Sequence, residues 1–204
     1  MTTLPAILFS LAATASSAPS LKPAVAVLDT AVFAGGCFWG IEAVFEHLKG
    51  VQSAVSGYAG GSKPSPTYDD VTSGTTGHAE SVQVIYDPAV IGYNDLLQVF
   101  FTVAHDPTQL NRQGPDVGTQ YRSALFFRGQ AQRQAAETFV AELGRAKPSP
   151  RPVVTQVVPL TVFYPAEDYH QNYMEHHPNQ PYIIYNDAPK VEHLRRAFPN
   201  LYRD

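Results

Sequence analysis

A single cysteine in 204 residues is the feature that most restricts what this chain can fold into. No disulfide can form within it, so the fold has to be held by buried apolar surface. Hydrophobic residues supply 44% of the sequence and charged residues 16%, which suits one globular domain with a sizeable core. The cysteine, Cys37, lies in the stretch Ala31-Val32-Phe33-Ala34-Gly35-Gly36-Cys37-Phe38-Trp39-Gly40, which also holds the only tryptophan. Residues 32–34 read as the end of a strand. Ile41, Val44, Phe45 and Leu48 then follow the i, i+3, i+4, i+7 spacing of an amphipathic helix. Gly50 is its expected stop. Cys37 is thus expected at or just before a helix N-terminus, where unpaired N–H groups and the helix dipole favour a thiolate. Two readings stand at this point. Cys37 is a nucleophile with Phe38 and Trp39 lining an apolar pocket beside it, or all three are core filler.

Strand-like and helix-like segments alternate along the rest of the chain. Residues 51–55 suggest a strand, followed by a loop over 56–67 rich in Gly, Ser and Pro. Val82, Val84 and Tyr86 alternate with Ser81, Gln83 and Ile85, a strand ended by Asp87-Pro88. Leu96, Leu97, Phe100 and Phe101 mark a helix that starts near Asn94 or Asp95. A polar loop covers 105–120, a strand 123–127, and a helix runs through Ala135, Ala136, Phe139, Val140 and Leu143 to Gly144. A Pro-rich linker at 147–152 precedes a strand at 153–158. Helical pieces at about 167–176 and 189–201 close the chain, the second opening on Pro189. This alternation predicts a mixed sheet with helices packed on it.

Residues 1–28 stand apart from the domain expected over 29–204. An apolar run at 4–13 is followed by small residues through Pro19, like the core and cleavage region of a secretory signal. No Lys or Arg precedes the run, and the alternative is a disordered extension. The expectation leans to export, to a periplasm, with the cytoplasm as the other outcome. The net charge of −4 carries no basic stripe for nucleic acid, and no apolar run is long enough to span a membrane. A monomer is expected.

Several further residues are able to do chemistry. Glu80 follows Gly77-His78-Ala79 and enters a mostly apolar strand. If it points into a pocket, burial keeps it protonated as a proton donor; otherwise it is an exposed strand-edge carboxylate. Tyr68 and Tyr121 stand at loop ends, either as donors to a substrate oxygen or as core aromatics with a wet hydroxyl. Asp116 lies between Pro115 and Gly118, where a turn aspartate is the ordinary reading. A hydrolase built on Cys37 needs a histidine base. Sequence does not say which of seven histidines approaches it. The spacing of His170, His176 and His177 matches no common zinc pattern, so no metal is expected and these read as surface histidines.

Gly36-Cys37-Phe38-Trp39-Gly40 resembles the active-site signature of the A-type peptide methionine sulfoxide reductases. The similarity continues in order through Gly57-Tyr58-Ala59-Gly60-Gly61, Pro66-Thr67-Tyr68 and Gly77-His78-Ala79-Glu80. It goes on through His105-Asp106-Pro107-Thr108-Gln109, Asp116-Val117-Gly118-Thr119-Gln120-Tyr121 and Phe163-Tyr164-Pro165-Ala166-Glu167-Asp168-Tyr169-His170-Gln171, covering roughly 31–180. The fold expected on this basis is α+β, a single-domain two-layer sandwich of the ferredoxin-like plait type.

The resemblance implies a role for each matching residue. Cys37 is the nucleophile, and Phe38 and Trp39 wall the substrate's S-methyl group. Glu80 protonates the sulfoxide oxygen, Tyr68 and Tyr121 hold that oxygen, and Asp116 supports them. The implied activity reduces methionine S-sulfoxide, free or in proteins, and leaves Cys37 as a sulfenic acid. Many relatives carry further cysteines that resolve this species; this chain has none. No bound cofactor is implied. The implied partner is an external thiol reductant: a thioredoxin, a glutaredoxin–glutathione system, or dithiothreitol in vitro.

Overall fold

The computed structural model describes residues 27–146 and 151–204. The signal or extension expected over 1–28 lies almost entirely outside the described residues, as do residues 147–150 of the Pro-rich linker. In chain order the elements begin with β1 (Asp29–Ala34), α1 (Phe38–Glu46), β2 (Val51–Ala59), α2 (Tyr68–Thr72), β3 (Ala79–Tyr86) and α3 (Tyr93–Val99). There follow β4 (Arg112–Gln113), β5 (Asp116–Val117), β6 (Ala124–Phe127), α4 (Gly129–Ala146), β7 (Gln156–Pro159), β8 (Phe163–Pro165), α5 (Tyr173–His176) and α6 (Ala188–Ala197).

Six strands form one mixed sheet in the order β7-β6-β1-β3-β2-β8. β6 and β7 run parallel; the other neighbours pair antiparallel. Alternation along β1 sends Ala31 and Phe33 into the larger core beneath the helices, and Val32 and Ala34 into a smaller cluster on the opposite face. α1 lays Phe38, Ile41, Val44 and Phe45 on the larger core. Phe33 meets Phe45 at 4.7 Å and Phe100 at 5.1 Å between ring centroids. Full burial of each such ring contributes about 1.5–3 kcal/mol relative to exposure.

The structure differs from the sequence-based expectations where long-range pairing overrides local composition. β2 continues through Ser56-Gly57-Tyr58-Ala59, a run expected to be loop. It is held on both sides, with Tyr58 opposite Glu80 of β3 and opposite Tyr164 of β8. α1 stops at Glu46 rather than near Gly50, and Gly50 instead takes a left-handed φ of 88° in the turn into β2. α4 runs past Gly144 to Ala146. The strand expected over 153–158 begins only at Gln156. The helix expected over 167–176 is broken into a 3₁₀ turn, Asp168–His170, and the short α5, because Asn172 adopts a left-handed φ of 52°. α3 carries on as a π-helical turn, Phe100–Ala104.

Candidate active site

Cys37 caps the N-terminus of α1. The chain turns there because Gly36 takes φ of 112°, and a Cβ on Gly36 would come within 2.7 Å of the Gln113 side chain. The backbone N–H of Phe38, one of the unpaired donors of the first helical turn, donates to Glu80 Oε2 at 3.1 Å. That hydrogen bond ties β3 to the corner carrying the thiol. Glu80 is buried, settling its two sequence readings in favour of the inward one.

The structure brings all the residues singled out in the sequence to one cavity of about 190 Å³. Its walls are Cys37, Phe38, Trp39, Tyr68, Glu80, Asp116 and Tyr121, completed by Gln180 and Tyr182. Cys37, Phe38 and Trp39 come from the start of α1, and the other walls come from separate elements. Tyr68 opens α2, with its N–H donated to Glu167 Oε1 at 2.8 Å, while Tyr58 on β2 donates its hydroxyl to Glu167 Oε2 at 2.9 Å. Asp116 lies on β5 and Tyr121 ends the 3₁₀ turn Thr119–Tyr121. Tyr182 donates its hydroxyl to Asp116 Oδ2 at 2.5 Å, so Asp116 is braced across the cavity rather than serving only as a turn residue. Trp39 stacks on Tyr173 with centroids 3.7 Å apart and planes 7° from parallel.

His170 corrects the surface reading made from its spacing: it is fully buried. Trp39 Nε1 donates to His170 Nδ1 at 3.1 Å, which fixes the imidazole with its proton on Nε2. Rings of Phe38 and Tyr68 stand 5.0 and 4.5 Å from His170, and burial lowers its pKa. His170, Tyr182 and Gln180 were missed as site residues. Trp39 and His170 are separated by 131 positions, so only tertiary closure brings them together. Among the described residues, no histidine lines the cavity itself.

The electrostatics also depart from one expectation. The helix terminus was expected to favour a Cys37 thiolate. Burial, followed by the charges of Glu80 and Asp187, instead pushes the thiol well above its ordinary range. The Trp39 backbone N–H and Lys190 act in the opposite direction and are outweighed. Burial also raises Glu80 to about 8, against the lowering effect of the Phe38 N–H, and Asp116 and Asp187 add to the rise. At neutral pH Glu80 is therefore mostly a neutral acid. Burial, helped by the charge of Glu80, raises both Tyr68 and Tyr121, so both remain O–H donors. The cavity thus combines a thiol, a neutral carboxyl, two phenol donors and aromatic walls. An oxygen can be received on its polar side and a small apolar group against its rings.

A larger cleft of about 640 Å³ opens on the other side of Trp39, between Glu42, Glu46, Tyr173 and Arg203, and contains no thiol. Among the described residues, no group of three or more His, Cys, Asp or Glu could hold a metal ion. No helix there is long and apolar enough to cross a membrane.

Comparison with known proteins shows the family of the chain. A family model described as peptide methionine sulfoxide reductase matches residues 29–201. Peptide methionine sulfoxide reductase MsrA 2 of Mesorhizobium japonicum is 54% identical over 176 residues, 86% of this chain and 90% of that protein. The MsrA of Thermus thermophilus is 51% identical over 175 residues, 86% of this chain and 98% of that protein. Among solved structures, methionine sulfoxide reductase A of Corynebacterium diphtheriae is similar with a TM-score of 0.68 and 36% identity, covering 78% of each chain. Mxr1 of Saccharomyces cerevisiae in its reduced form gives 0.66 and 35%, covering 79% of this chain and 91% of that one. The chain belongs to the peptide methionine sulfoxide reductase family, in its A-type branch.

Proposed function

We propose that this protein reduces methionine S-sulfoxide, free and within proteins, by attack of Cys37 on the sulfoxide sulfur. The observation that carries the reading is the convergence of Cys37, Glu80, Tyr68, Tyr121, Phe38, Trp39 and Asp116 on one small cavity. The sulfoxide sulfur is electrophilic, but its oxygen leaves poorly until protonated. In this reading the S-methyl group packs on Phe38 and Trp39, and the oxygen faces Glu80, Tyr68 and Tyr121. Asp116, braced by Tyr182, supports that polar wall. As the Cys37 Sγ–sulfur bond forms, Glu80 gives its proton to the oxygen and the two phenols stabilise the charge developing there. The thiol has given up its proton before the attack. The S–O bond then breaks with release of water, and water attacks Cys37 Sγ, breaking the Sγ–sulfur bond, releasing methionine and returning a proton to Glu80. The substrate sulfur gains two electrons and the Cys37 sulfur loses two. Sulfoxide and thiol become methionine and a Cys37 sulfenic acid.

The sulfenic acid has no second cysteine in this chain to resolve it. Two equivalents of an external thiol then return Cys37 to the thiol and release water and a disulfide. A thioredoxin, a glutaredoxin–glutathione system or a small thiol fits this chemistry. Repair of oxidised proteins is the role that follows. The same reading assigns the core to a ferredoxin-like plait. Its support is the chain order β1-α1-β2-β3-α3-β6 with the spatial order β6-β1-β3-β2.

A cysteine hydrolase would need an imidazole at the thiol, and His170, which stands against the aromatic walls, already accepts the Trp39 indole N–H. The test is turnover with dithiothreitol on the separated epimers of N-acetyl methionine sulfoxide. The S epimer should be reduced to completion and the R epimer left. Equal turnover of both, or release of acid from an ester with no sulfoxide reduction, would remove the reading.

A further inference from the structure

An ion pair between a buried aspartate and a partly buried lysine lies against the first turn of α1 and takes no part in the chemistry above. Asp187 ends the π-helical stretch Ile183–Asp187, and Lys190 follows in the first turn of α6. Lys190 Nζ donates to Asp187 Oδ1 at 3.0 Å. Asp187 is completely buried, and its Oδ2 has no hydrogen-bond partner among the described residues. A pair whose aspartate is buried with an unsatisfied oxygen is costly to desolvate and is weak as a stabilising device. Its placement is specific, however. A Cβ on Gly40 would overlap Asp187 Oδ1 and stand 2.8 Å from Lys190 Nζ, so the pair sits directly on Gly40. Cys37 is the N-cap of α1 and Gly40 its third helical residue. Asp187 and Lys190 therefore sit against the first turn of α1, at the residue three positions after the thiol.

The groups acting on Cys37 come from several elements. Glu80 from β3 and Asp187 oppose its ionisation, and the Trp39 N–H and Lys190 favour it. Tyr68, Tyr121 and Tyr182 also face it and remain protonated. We propose that Lys190 is a positioning residue for the thiolate: its ammonium, seated on Gly40 by Asp187, offsets the burial of Cys37 and the charge of Asp187 at the moment of attack. Asp187 has two effects of opposite sign. It holds the ammonium in place, and its own charge works against the thiolate. This inference rests on Cys37 being the nucleophile.

The test is the pH dependence of Cys37 alkylation by iodoacetamide in the full chain, where Cys37 is the only cysteine to report. At pH 7.5, K190M should react about tenfold slower than the parent, because less thiolate is present. K190R, which keeps the charge, should restore most of the rate. D187N, which keeps an oxygen acceptor for Lys190 but removes the negative charge, should react severalfold faster. All profiles should converge at high pH, where the thiol is fully ionised. A K190M profile superposed on the parent would overturn the proposal. So would equal slowing of K190M and D187N at every pH, the mark of a packing role. If K190M does not fold, D187N decides by the direction of its shift. Alkylation is read instead of turnover so that failure here is distinct from a wrong nucleophile, which would show as sulfoxide turnover surviving in Cys37→Ser.

Discussion

Cys37→Ser should lower sulfoxide reduction by at least about 10⁴-fold while leaving the chain folded, since removal of a covalent nucleophile acts on this scale in enzymes. Cys37 is buried at the cap of α1, and a serine hydroxyl is nearly isosteric there. Burying that hydroxyl costs about 1–3 kcal/mol, which a domain with this core tolerates. The hydroxyl cannot replace a thiolate in attack on sulfur. Assay of methionine release with dithiothreitol, beside a urea unfolding curve, separates the chemical effect from any loss of fold. Residual turnover above about one per cent of the parent would show that another group attacks the sulfur.

Glu80→Gln is expected to slow the sulfoxide step by about 10²–10⁴-fold with little change in substrate affinity, the range for loss of a positioned proton donor. Glutamine keeps the size of the side chain but has no carboxyl proton to give. The pH profile carries the sharper signature. Glu80 is raised to about 8 mainly by burial. Its acid form is therefore complete well below that pH and is lost as pH rises through it. The single-turnover rate of the parent should rise with pH as thiolate forms and level off near this value, because above it the loss of the Glu80 acid form cancels the gain in thiolate; the rate falls only above the still higher range of the thiol. Glu80→Gln should lose most of the rate, and its residual rate should keep rising with pH through this value instead of levelling off. A full single-turnover rate in Glu80→Gln would take the acid role away from Glu80.

Local pattern made the corner at Cys37 legible in the sequence. The apolar end of β1, the glycines and the helical spacing of Ile41, Val44 and Phe45 all report short-range geometry, and α1 lies where they indicate. Glu80 was legible as a carboxyl entering an apolar strand. What the sequence hid depends on partners far along the chain. β2 extends through Gly57 because β3 and β8 flank it, which local composition does not reveal. His170 resembles any surface histidine until Trp39 is placed beside it. Tyr182, Asp187 and Lys190 sit in a segment with no motif of their own, and the π-helical turn at Ile183–Asp187 sets their direction. The state of the thiol was hidden for the same reason. A helix N-terminus favours the thiolate, but burial with Glu80 and Asp187 outweighs it, and neither neighbour is near Cys37 in sequence.

The transfer of oxidation from substrate to Cys37 is tested most directly by mass spectrometry without any reducing thiol. The reduced protein is mixed with excess methionine S-sulfoxide, and both the methionine formed and the intact and peptide masses are measured. One methionine per chain and a gain of one oxygen atom on the peptide containing Cys37 are predicted, with the mass restored by dithiothreitol. Methionine formed while Cys37 stays unmodified, or oxygen gained on another residue, would contradict the account.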